Sequence, residues 1–514
     1  MEERQVDRRV WTSATALLAC LALFKMLIHF VNNGAYGYFI DELYYIACSK
    51  HLAWGYVDHP PLSIFILTIT RALLGDSLFA IRLPAVLAGA ASVFLTGRMA
   101  RELGGGRFAQ CMAALAYMAM GVPLATTTFF SMNAFDHLFW ISCALIVIRI
   151  VRTDNPKLWL AFGLVAGFAM LNKISIAFLA FGIVVGLLAT PHRKQFLSPW
   201  IWLGGAVAFV IFLPHVIWQI THDFPTLEFM SNAKKYKITP MSPLAYLGGQ
   251  IVEANPLTLP IWLAGLIYFL FAKSAKSYRV LGLAYLAVLL LFIIQQVKVY
   301  YLGPAYAMLA AGGAIAIEGV AQRRQWRWLK PALFGFVSVG GAWMAPLVLP
   351  ILPPETYIRY GSLTGIQPPK EERGRMAELP QYLADRFGWE NMVVTVARVF
   401  TALPPQDRAR CAILAGGYGE AGAVDFFGPR YGLPKAISGH NNYWLWGPGD
   451  ATGEVVISIG SSRERLLEFF ETVEQADIIV SPYAMPRETN LPVYVCRHLK
   501  RPVEEVWPQL KHFI

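Results

Sequence analysis

Long apolar runs separated by short basic clusters dominate the first 352 residues of this 514-residue chain. A helix needs roughly 20 apolar residues to cross the hydrocarbon core of a bilayer. Runs that fit this length lie near 11–31, 77–97, 108–128, 131–151, 158–172, 174–190, 200–220, 257–272, 280–297, 302–320 and 332–352. With 56% hydrophobic and 15% charged residues, the chain cannot be an ordinary soluble enzyme, a disordered chain or a small disulfide-framed domain. The sequence predicts a membrane all-α domain of about 11 transmembrane helices.

The positive charge of the chain is concentrated in this apolar part. Residues 1–352 contain 27 basic and 14 acidic residues, whereas residues 353–514 contain 17 and 19. Lysine and arginine beside membrane spans favour the cytoplasmic side. With the N-terminus in the cytoplasm, 18 of the 27 basic residues fall in cytoplasmic segments. The net charge of +11 therefore indicates membrane topology rather than a nucleic-acid partner. A multi-pass plasma-membrane protein with an extracytoplasmic C-terminal domain is predicted.

The chain divides by composition into a membrane domain, 1–352, with a long first outer loop at 32–76, and an outer domain, 353–514. In the outer domain the strands CAILA, EVVISIG, IIVSP and PVYVCRH alternate with helical segments, among them AELPQYLADRFG and RERLLEFFETVEQAD. Such alternation predicts a small α/β domain. Cys411 and Cys496 lie on predicted neighbouring strands, where an oxidising compartment permits a disulfide. Their Cα separation cannot be known from sequence, so pairing stays open.

The first outer loop carries the densest group of reactive side chains. Asp41 and Glu42 follow an apolar run, and Asp58 and His59 follow sixteen residues after Glu42. Carboxylates at a membrane face are costly unless they line a watery cavity or bind a ligand. The alternative is structural, with Asp41 as the N-cap of a short helix, ELYYIACSKHLA.

The two halves of this loop, D-E-x-Y-Y and H-L-A-x-G-Y-x-D-H-P-P-L, resemble the polyprenyl-phosphate-sugar-dependent glycosyltransferases of the family 39-like group. That group is related to protein O-mannosyltransferases and to the aminoarabinose transferase of lipid A. The resemblance continues through Arg82-Leu83-Pro84, FDHLFW (135–140), LNKIS (171–175), PHVIWQITHDFPTLEF (214–229), KVYYLGPAY (298–306), GEAGAVDFFGPRYGLP and SGHNNYWLWGP. It implies a bacterial inner-membrane enzyme with the GT-C fold.

The resemblance also implies a reaction. These enzymes transfer a sugar from a polyprenyl-phosphate donor to an envelope lipid, glycan or protein acceptor outside the cytoplasm. By resemblance Asp41 is the catalytic base and Asp136 the second acidic residue of the site. The substrate-binding residues are then predicted to be Glu42, Tyr44, Tyr45, Asp58, His59, Lys173, His222, Lys298 and Tyr301. A leaving phosphate needs cationic or hydrogen-bonding partners, and few cations lie on the predicted outer side.

Several of these residues have a structural alternative. Lys173 and Lys298 contact the donor phosphate or extend their amines to the membrane interface. Asp136 belongs to the site or caps its helix. His59 stands where related enzymes often have lysine, and its charge depends on pH. Three further outer lysines are interpreted as a solvated loop face that meets anionic lipid, namely Lys234, Lys235 and Lys237.

The sequence assigns no cofactor with certainty, and dependence on a divalent metal stays open. The candidate ligands are hard or borderline donors, namely Glu42, Asp58, His59 and His222. A different function class, a transporter or lipid flippase, also fits many spans. It is disfavoured because the ionisable residues gather on one outer face rather than at the bilayer midplane.

Overall fold

The computed structural model describes residues 2–365, 372–373 and 377–514. Its helices are α1 (Glu2–Asn32), α2 (Ile40–Ser49), α3 (Leu62–Leu74), α4 (Leu78–Glu102), α5 (Arg107–Met118), α6 (Gly121–Ala125), α7 (Met132–Thr153), α8 (Leu158–Asn172), α9 (Ile176–Leu188), α10 (Pro199–Thr221), α11 (Pro225–Asn232), α12 (Pro243–Glu253), α13 (Leu259–Phe271), α14 (Arg279–Gln295), α15 (Tyr306–Arg323), α16 (Leu329–Val348), α17 (Pro354–Thr364), α18 (Gln381–Ala384), α19 (Trp389–Ala402), α20 (Pro405–Ala409), α21 (Tyr418–Phe427), α22 (Asn442–Trp446), α23 (Arg463–Phe469) and α24 (Val503–Val506). The strands are β1 (Cys411–Ala415), β2 (Ala436–Ser438), β3 (Val455–Ile459), β4 (Phe470–Ile479) and β5 (Leu491–Leu499).

Within the described residues, seven helices are long and apolar enough to cross a membrane. Two pairs of consecutive helices pass the same test when each pair is taken as one span. The first is α9 with the short helix Pro191–Leu197, bent by 112°, and the second is α12 with Pro256–Phe271, which includes α13, bent by 87°. The number of candidate spans is therefore seven, or up to nine. The chain is a multi-pass membrane protein, and its predicted helical membrane fold is confirmed.

Among the described residues this length and composition test finds fewer spans than the predicted number of about 11, because several apolar runs form shorter helices. The run at 108–128 forms α5, which has 12 residues, and the five-residue α6. The run at 158–172 forms α8, with 15 residues. At 1.5 Å per residue, α5 rises about 18 Å, whereas the hydrocarbon core is about 30 Å thick. Apolar runs predicted where helices lie, but breaks within the runs shorten them.

The described chain forms two compact units. The first comprises Met1–Gly34, Phe79–Val216 and Pro240–Glu371; the second comprises Ala35–Leu78, Ile217–Thr239 and Glu372–Ile514. Most of the first outer loop thus belongs to the same unit as the C-terminal residues. The predicted boundary after residue 352 separates residues expected in the membrane from residues expected outside it, whereas the two units are defined by their compactness. That boundary stays a prediction.

In the first unit, α13 and α15 pack at a crossing that has no room for side chains. A Cβ on Gly265 would lie 1.9 Å from the carbonyl oxygen of Leu309, and one on Gly313 would lie 1.8 Å from that of Ile261. Glycine allows such close approach, and small residues are typical of helix contacts in membranes. The crossing places the start of α15, and with it the preceding segment Val299–Ala305, against the core of the unit.

We expect Gly313→Ala to destabilise the protein, because the added methyl group must push α13 and α15 apart. Overpacking of this kind costs about 1–3 kcal/mol. The measurement is the thermal unfolding midpoint of the full chain in detergent. Gly335→Ala in α16 is the matched control, since a Cβ there meets nothing within 4 Å. Equal midpoints for the two variants would contradict the close crossing.

The second unit contains a five-stranded sheet in the order β2-β1-β3-β5-β4. β1 pairs in parallel with β2 and β3, while β5 is antiparallel to β3 and β4. The predicted α/β domain is confirmed, with β2 as a strand that the sequence pattern did not indicate. The predicted helix AELPQYLADRFG is helical only over Gln381–Ala384.

The segment RERLLEFFETVEQAD is helical only at its start. α23 ends at Phe469, and β4 begins at the next residue. Along β4, Phe470, Val473 and Ile479 are buried while most of the intervening residues face solvent. β4 also pairs along its length with β5. Pairing with a strand that lies later in the sequence outweighs the helical pattern of the isolated segment.

Cys411 and Cys496 do not form a disulfide in the structure. They lie on β1 and β5, and β3 separates these strands. Strands in a sheet are spaced by about 4.8 Å. Two such spacings exceed the Cα separation of about 7 Å that a disulfide can bridge. The prediction that these strands are neighbours is wrong, because β3 lies between them.

Candidate active site

The second unit holds the reactive residues of the first loop. α2 begins after Phe39, whose backbone N–H donates to Glu42 Oε2 at 2.8 Å. Glu42 therefore caps the helix with its own side chain, and it is fully buried. Asp41 is not the N-cap, contrary to the structural alternative in the sequence. Its carboxylate lies in the first turn of α2 and is available for other contacts.

Asp41 accepts a hydrogen bond from a residue far along the chain. The hydroxyl of Tyr418 donates to Asp41 Oδ1 at 3.0 Å. Burial and the nearby Asp58 carboxylate raise the pKa of Asp41 above its usual range. Lys237, the Tyr418 hydroxyl and His59 act in the opposite direction. A carboxylate with a raised pKa is a better proton acceptor, because its conjugate acid is weaker.

Tyr44 links the two halves of the first loop. Its hydroxyl lies 3.0 Å from Asp58 Oδ1 and 2.9 Å from Asn442 Oδ1. Asn442 Oδ1 also accepts from the backbone N–H of Val57 at 2.8 Å. The Tyr44 ring stacks on Tyr418, with centroids 4.5 Å apart and planes inclined by 27°. One network thus holds Asp41 and Asp58 through two stacked tyrosines.

His59 is buried among aromatic rings beside Asp58. Its ring centroid lies 4.6 Å from that of Tyr45 and 4.9 Å from that of Tyr56. Nδ1 is 2.9 Å from the Pro60 carbonyl oxygen. Nε2 is buried, has no hydrogen-bond partner among the described residues, and lies 4.0 Å from Asp58 Oδ1. Since Nδ1 faces a carbonyl, it carries the proton, and Nε2 is the atom left to meet a ligand or Asp58.

The first unit holds a second group of predicted residues. Asp136 Oδ1 accepts from the Ser175 hydroxyl at 2.5 Å, and Asp136 Oδ2 lies 3.6 Å from Lys173 Nζ. Lys173 Nζ donates to Asn133 Oδ1 at 2.8 Å and lies 4.0 Å from the ring centroid of Tyr301. Lys173 is thus surrounded by a carboxylate, an amide oxygen and an aromatic face, rather than extended to the membrane interface.

Asp136 does not cap its helix. Ser131 is the N-cap of α7, and its hydroxyl accepts from the backbone N–H of Asn133 at 3.2 Å. Asp136 lies further inside the helix and is 3% exposed. A buried carboxylate beside a buried lysine is an ion pair that the fold has to hold in place. The capping alternative for Asp136 is therefore wrong.

Two predicted residues lie apart from these groups. His222 is exposed; its ring stacks on Trp218 at 4.3 Å, and its Nδ1 lies 2.9 Å from the Trp218 carbonyl oxygen. Lys298 is half-buried, and its carbonyl accepts from the Tyr301 N–H at 3.2 Å as a turn begins. Lys298 therefore directly precedes the short helix Val299–Ala305, which contains Tyr301.

The lysines of the loop 234–237 differ from one another. Lys234 and Lys235 are exposed, as predicted for a solvated face. Lys237 is half-buried, lies 3.8 Å from Glu372, and lowers the pKa of Asp41 through its charge. Lys237 is thus the cation with the largest effect on the pKa of Asp41. The sequence pattern assigns it to a surface that meets lipid.

The metal ligands proposed from sequence do not converge. Among the described residues, no group of three or more histidine, cysteine, aspartate or glutamate side chains is arranged to hold a metal ion. Glu42 is occupied as a helix cap, and His222 packs against Trp218. Asp58 and His59 are adjacent but form only a pair.

Two contributors to the site were missed in the sequence, Tyr418 and Asn442. They lie in or beside the C-terminal segments that resemble the outer domain of the family. Both are uncharged, so the pattern of charged side chains in the sequence does not indicate them. The resemblance of those two segments to the outer domain of the family indicates that the segments matter. It does not indicate which of their side chains reaches the first loop.

Comparison with known proteins gives a consistent result. Residues 58–218 match the family model described as dolichyl-phosphate-mannose-protein mannosyltransferase. The chain is 25% identical to the lipid A galacturonosyltransferase RgtD of Rhizobium johnstonii, over 59% of the chain and 65% of that protein. It is 28% identical to an undecaprenyl phosphate-α-4-amino-4-deoxy-L-arabinose arabinosyl transferase of Pseudomonas fluorescens, over 31% of the chain and 30% of that protein. The chain thus matches less than two thirds of the length of these curated relatives.

A solved structure shows the fold. The crystal structure of ArnT from Cupriavidus metallidurans, bound to undecaprenyl phosphate, aligns with 94% of this chain and 98% of its own, with a TM-score of 0.58 and 14% identity. At that identity the likeness concerns the fold alone. The chain therefore has the fold of the GT-C glycosyltransferases, and its residues 58–218 carry the sequence pattern of the dolichyl-phosphate-mannose-protein mannosyltransferases, as the resemblance predicts.

Proposed function

We propose that this chain is an inner-membrane glycosyltransferase. It transfers a sugar from a polyprenyl-phosphate-linked donor to an acceptor on the outer face of the membrane. The observation that carries the proposal is the carboxylate of Asp41, held by Tyr418 at 3.0 Å in the loop that most resembles these enzymes. The relatives support the substrate class, since one is named for lipid A and another for an undecaprenyl phosphate donor.

The reaction follows from the chemistry of the groups. Asp41 removes the proton of an acceptor hydroxyl, whose oxygen attacks the anomeric carbon of the donor sugar. The bond from that carbon to the phosphate oxygen breaks, and polyprenyl phosphate leaves with the electron pair. Attack opposite to the leaving group inverts the anomeric configuration. Phosphate is a good leaving group, so the step requires charge stabilisation more than a strong general acid.

The remaining residues take supporting roles. Lys173, kept beside Asp136 and the Tyr301 ring, and Lys298, on the turn before Tyr301, are the proposed cationic partners of the donor phosphate. Asp58 and His59, joined to Asp41 through Tyr44 and Tyr418, are proposed to bind the sugar or acceptor hydroxyl groups. Tyr45 and Glu42 support α2 and the ring of His59.

The orientation is part of the proposal. The cytoplasmic side is assigned to the N-terminus because 18 of the 27 basic residues up to residue 352 then face inward. With an odd number of spans before residue 353, the C-terminal domain lies in the periplasm. The two bent helix pairs decide whether that number is odd, so accessibility of single added cysteines to a membrane-impermeant thiol reagent is the direct measurement.

The function is tested by deletion of the gene and mass spectrometry of the envelope lipids and glycans. We expect one lipid or glycan species to lose a single sugar residue in the deletion strain. The wild-type gene restores that residue, whereas the Asp41→Asn gene does not. Unchanged envelope lipids, glycans and glycoproteins would contradict the proposal. Movement of a labelled lipid across proteoliposomes without a new covalent product would instead support the transporter alternative.

A further inference from the structure

The hydroxyl of Tyr418 is the hydrogen-bond donor to Asp41 Oδ1, at 3.0 Å. Tyr418 is the first residue of α21, whereas Asp41 is the second residue of α2. The stacking of Tyr44 on the Tyr418 ring restricts the direction of the hydroxyl. A charged acceptor strengthens such a bond to roughly twice that of a neutral pair. The contact is therefore strong enough to select one orientation of the carboxylate.

The position of Tyr418 is itself fixed by close packing of α21 against α2. A Cβ on Gly419 would lie 2.5 Å from Ile40, and one on Gly422 would lie 2.9 Å from the carbonyl carbon of Leu43. The two helices approach each other along a face without side chains on α21. Because the two helices pack this closely, the Tyr418 hydroxyl reaches the first turn of α2. Side chains in place of the two glycines of α21 would push the helices apart and separate that hydroxyl from Asp41.

The backbone of Tyr418 has a second anchor. Its N–H donates to His440 Nδ1 at 3.2 Å, and His440 Nε2 lies 2.9 Å from the carbonyl oxygen of Ile514. The His440 ring also stacks on His512, with centroids 4.8 Å apart. Burial lowers the pKa of His440 to about 3, so the ring is neutral and its Nδ1 can accept. The C-terminal residues thus hold the start of α21 in place.

We propose that Tyr418 is a positioning residue whose hydroxyl fixes Oδ1 of Asp41 and leaves Oδ2 to take the proton of the acceptor. The inference rests on the proposed function. It gives the C-terminal α/β region a part in the chemistry, since that region supplies the group that orients the base. Tyr418 does not touch the reacting atoms, so its loss weakens catalysis without abolishing it.

The test removes the hydroxyl alone. Tyr418→Phe keeps the ring that stacks on Tyr44, and we expect kcat to fall about tenfold with little change in KM. The full chain is purified and assayed with solubilised membranes of the deletion strain, which supply the donor and the unmodified acceptor. The matched control is Tyr443→Phe, because the Tyr443 hydroxyl donates to a different carboxylate, Asp425, at 2.9 Å.

A pH profile separates positioning from a general loss of structure. Besides burial, Asp58 raises the pKa of Asp41, and Lys237, Tyr418 and His59 lower it. The carboxylate of Asp385 also interacts electrostatically with Asp41. Asp41 works as the ionised base, so transfer declines as the pH falls through its pKa. Without the Tyr418 hydroxyl that pKa rises further, and the acid limb should move to higher pH. A partly unfolded variant would lose rate at every pH without moving the limb.

A second variant covers the case in which Tyr418→Phe is unstable. Incorporation of a ring-fluorinated tyrosine at position 418 keeps the shape and makes the phenol a stronger donor, so the acid limb should move to lower pH. Wild-type rate and pH profile in Tyr418→Phe, with Asp41→Asn inactive, would overturn the positioning role alone. An active Asp41→Asn enzyme would instead overturn the base assignment in the proposed function.

Discussion

Asp41→Asn is expected to reduce transfer to a hydroxyl acceptor by about 10²–10⁴-fold, the range that a positioned general base contributes. Asparagine has nearly the same shape, and its amide oxygen can still accept from the Tyr418 hydroxyl. The variant therefore keeps the contact at 3.0 Å but loses the group that takes the proton. The assay is sugar transfer by the purified full chain with membranes of the deletion strain, alongside the thermal unfolding midpoint.

Asp76→Asn is the matched control for this experiment. Asp76 belongs to the same compact unit and is partly exposed, and its carboxylate pairs with Arg71 at 2.5 Å. The control should transfer sugar at the wild-type rate. A loss in Asp41→Asn below about tenfold would contradict the base assignment, since it falls short of the contribution of a general base. A modest loss is also what an acceptor that is already ionised would give, because a phosphate oxygen needs no deprotonation.

The residues of the first loop could be found in the sequence because they lie close together along the chain. Asp41, Glu42, Asp58 and His59 occur within 19 consecutive residues, 41–59, and their pattern resembles a known family. Their partners could not be found in this way. Tyr418 is 377 positions from Asp41, and Asn442 is 398 positions from Tyr44. Neither partner is charged, so only the folded chain shows which hydroxyl or amide reaches the loop.

The fold shows the same limit. Apolar runs identified the position of each membrane helix, because burial in lipid is a property of a local stretch. They did not indicate where a run breaks, as it does after Met118. In the C-terminal domain, residues 470–477 look helical alone but belong to the strand Phe470–Ile479, which pairs with Leu491–Leu499. The energy that decides between the two states comes from the neighbouring strand, which local patterns do not contain.

The pair Asp136–Lys173 should have the second large effect. The two side chains are 4% and 7% exposed, and their charged atoms lie 3.6 Å apart. Removal of one partner leaves an uncompensated buried charge, so Lys173→Met or Asp136→Asn should each cost about 3–5 kcal/mol. The double variant contains neither charge, and we expect it to regain most of the lost stability. The measurement is the unfolding of the full chain in detergent, completed as a double-mutant cycle.

The double variant also separates the two roles of Lys173. If Lys173 serves only to neutralise Asp136, and Asp136 has no part of its own in transfer, the stable double variant should transfer sugar at nearly the wild-type rate. If Lys173 is also the cationic partner of the donor phosphate, transfer stays low although stability returns, because Met offers no charge to the leaving group. Additive losses in the cycle would contradict the ion pair itself, since independent side chains show no coupling. The proposed function requires recovered stability together with persistent loss of transfer.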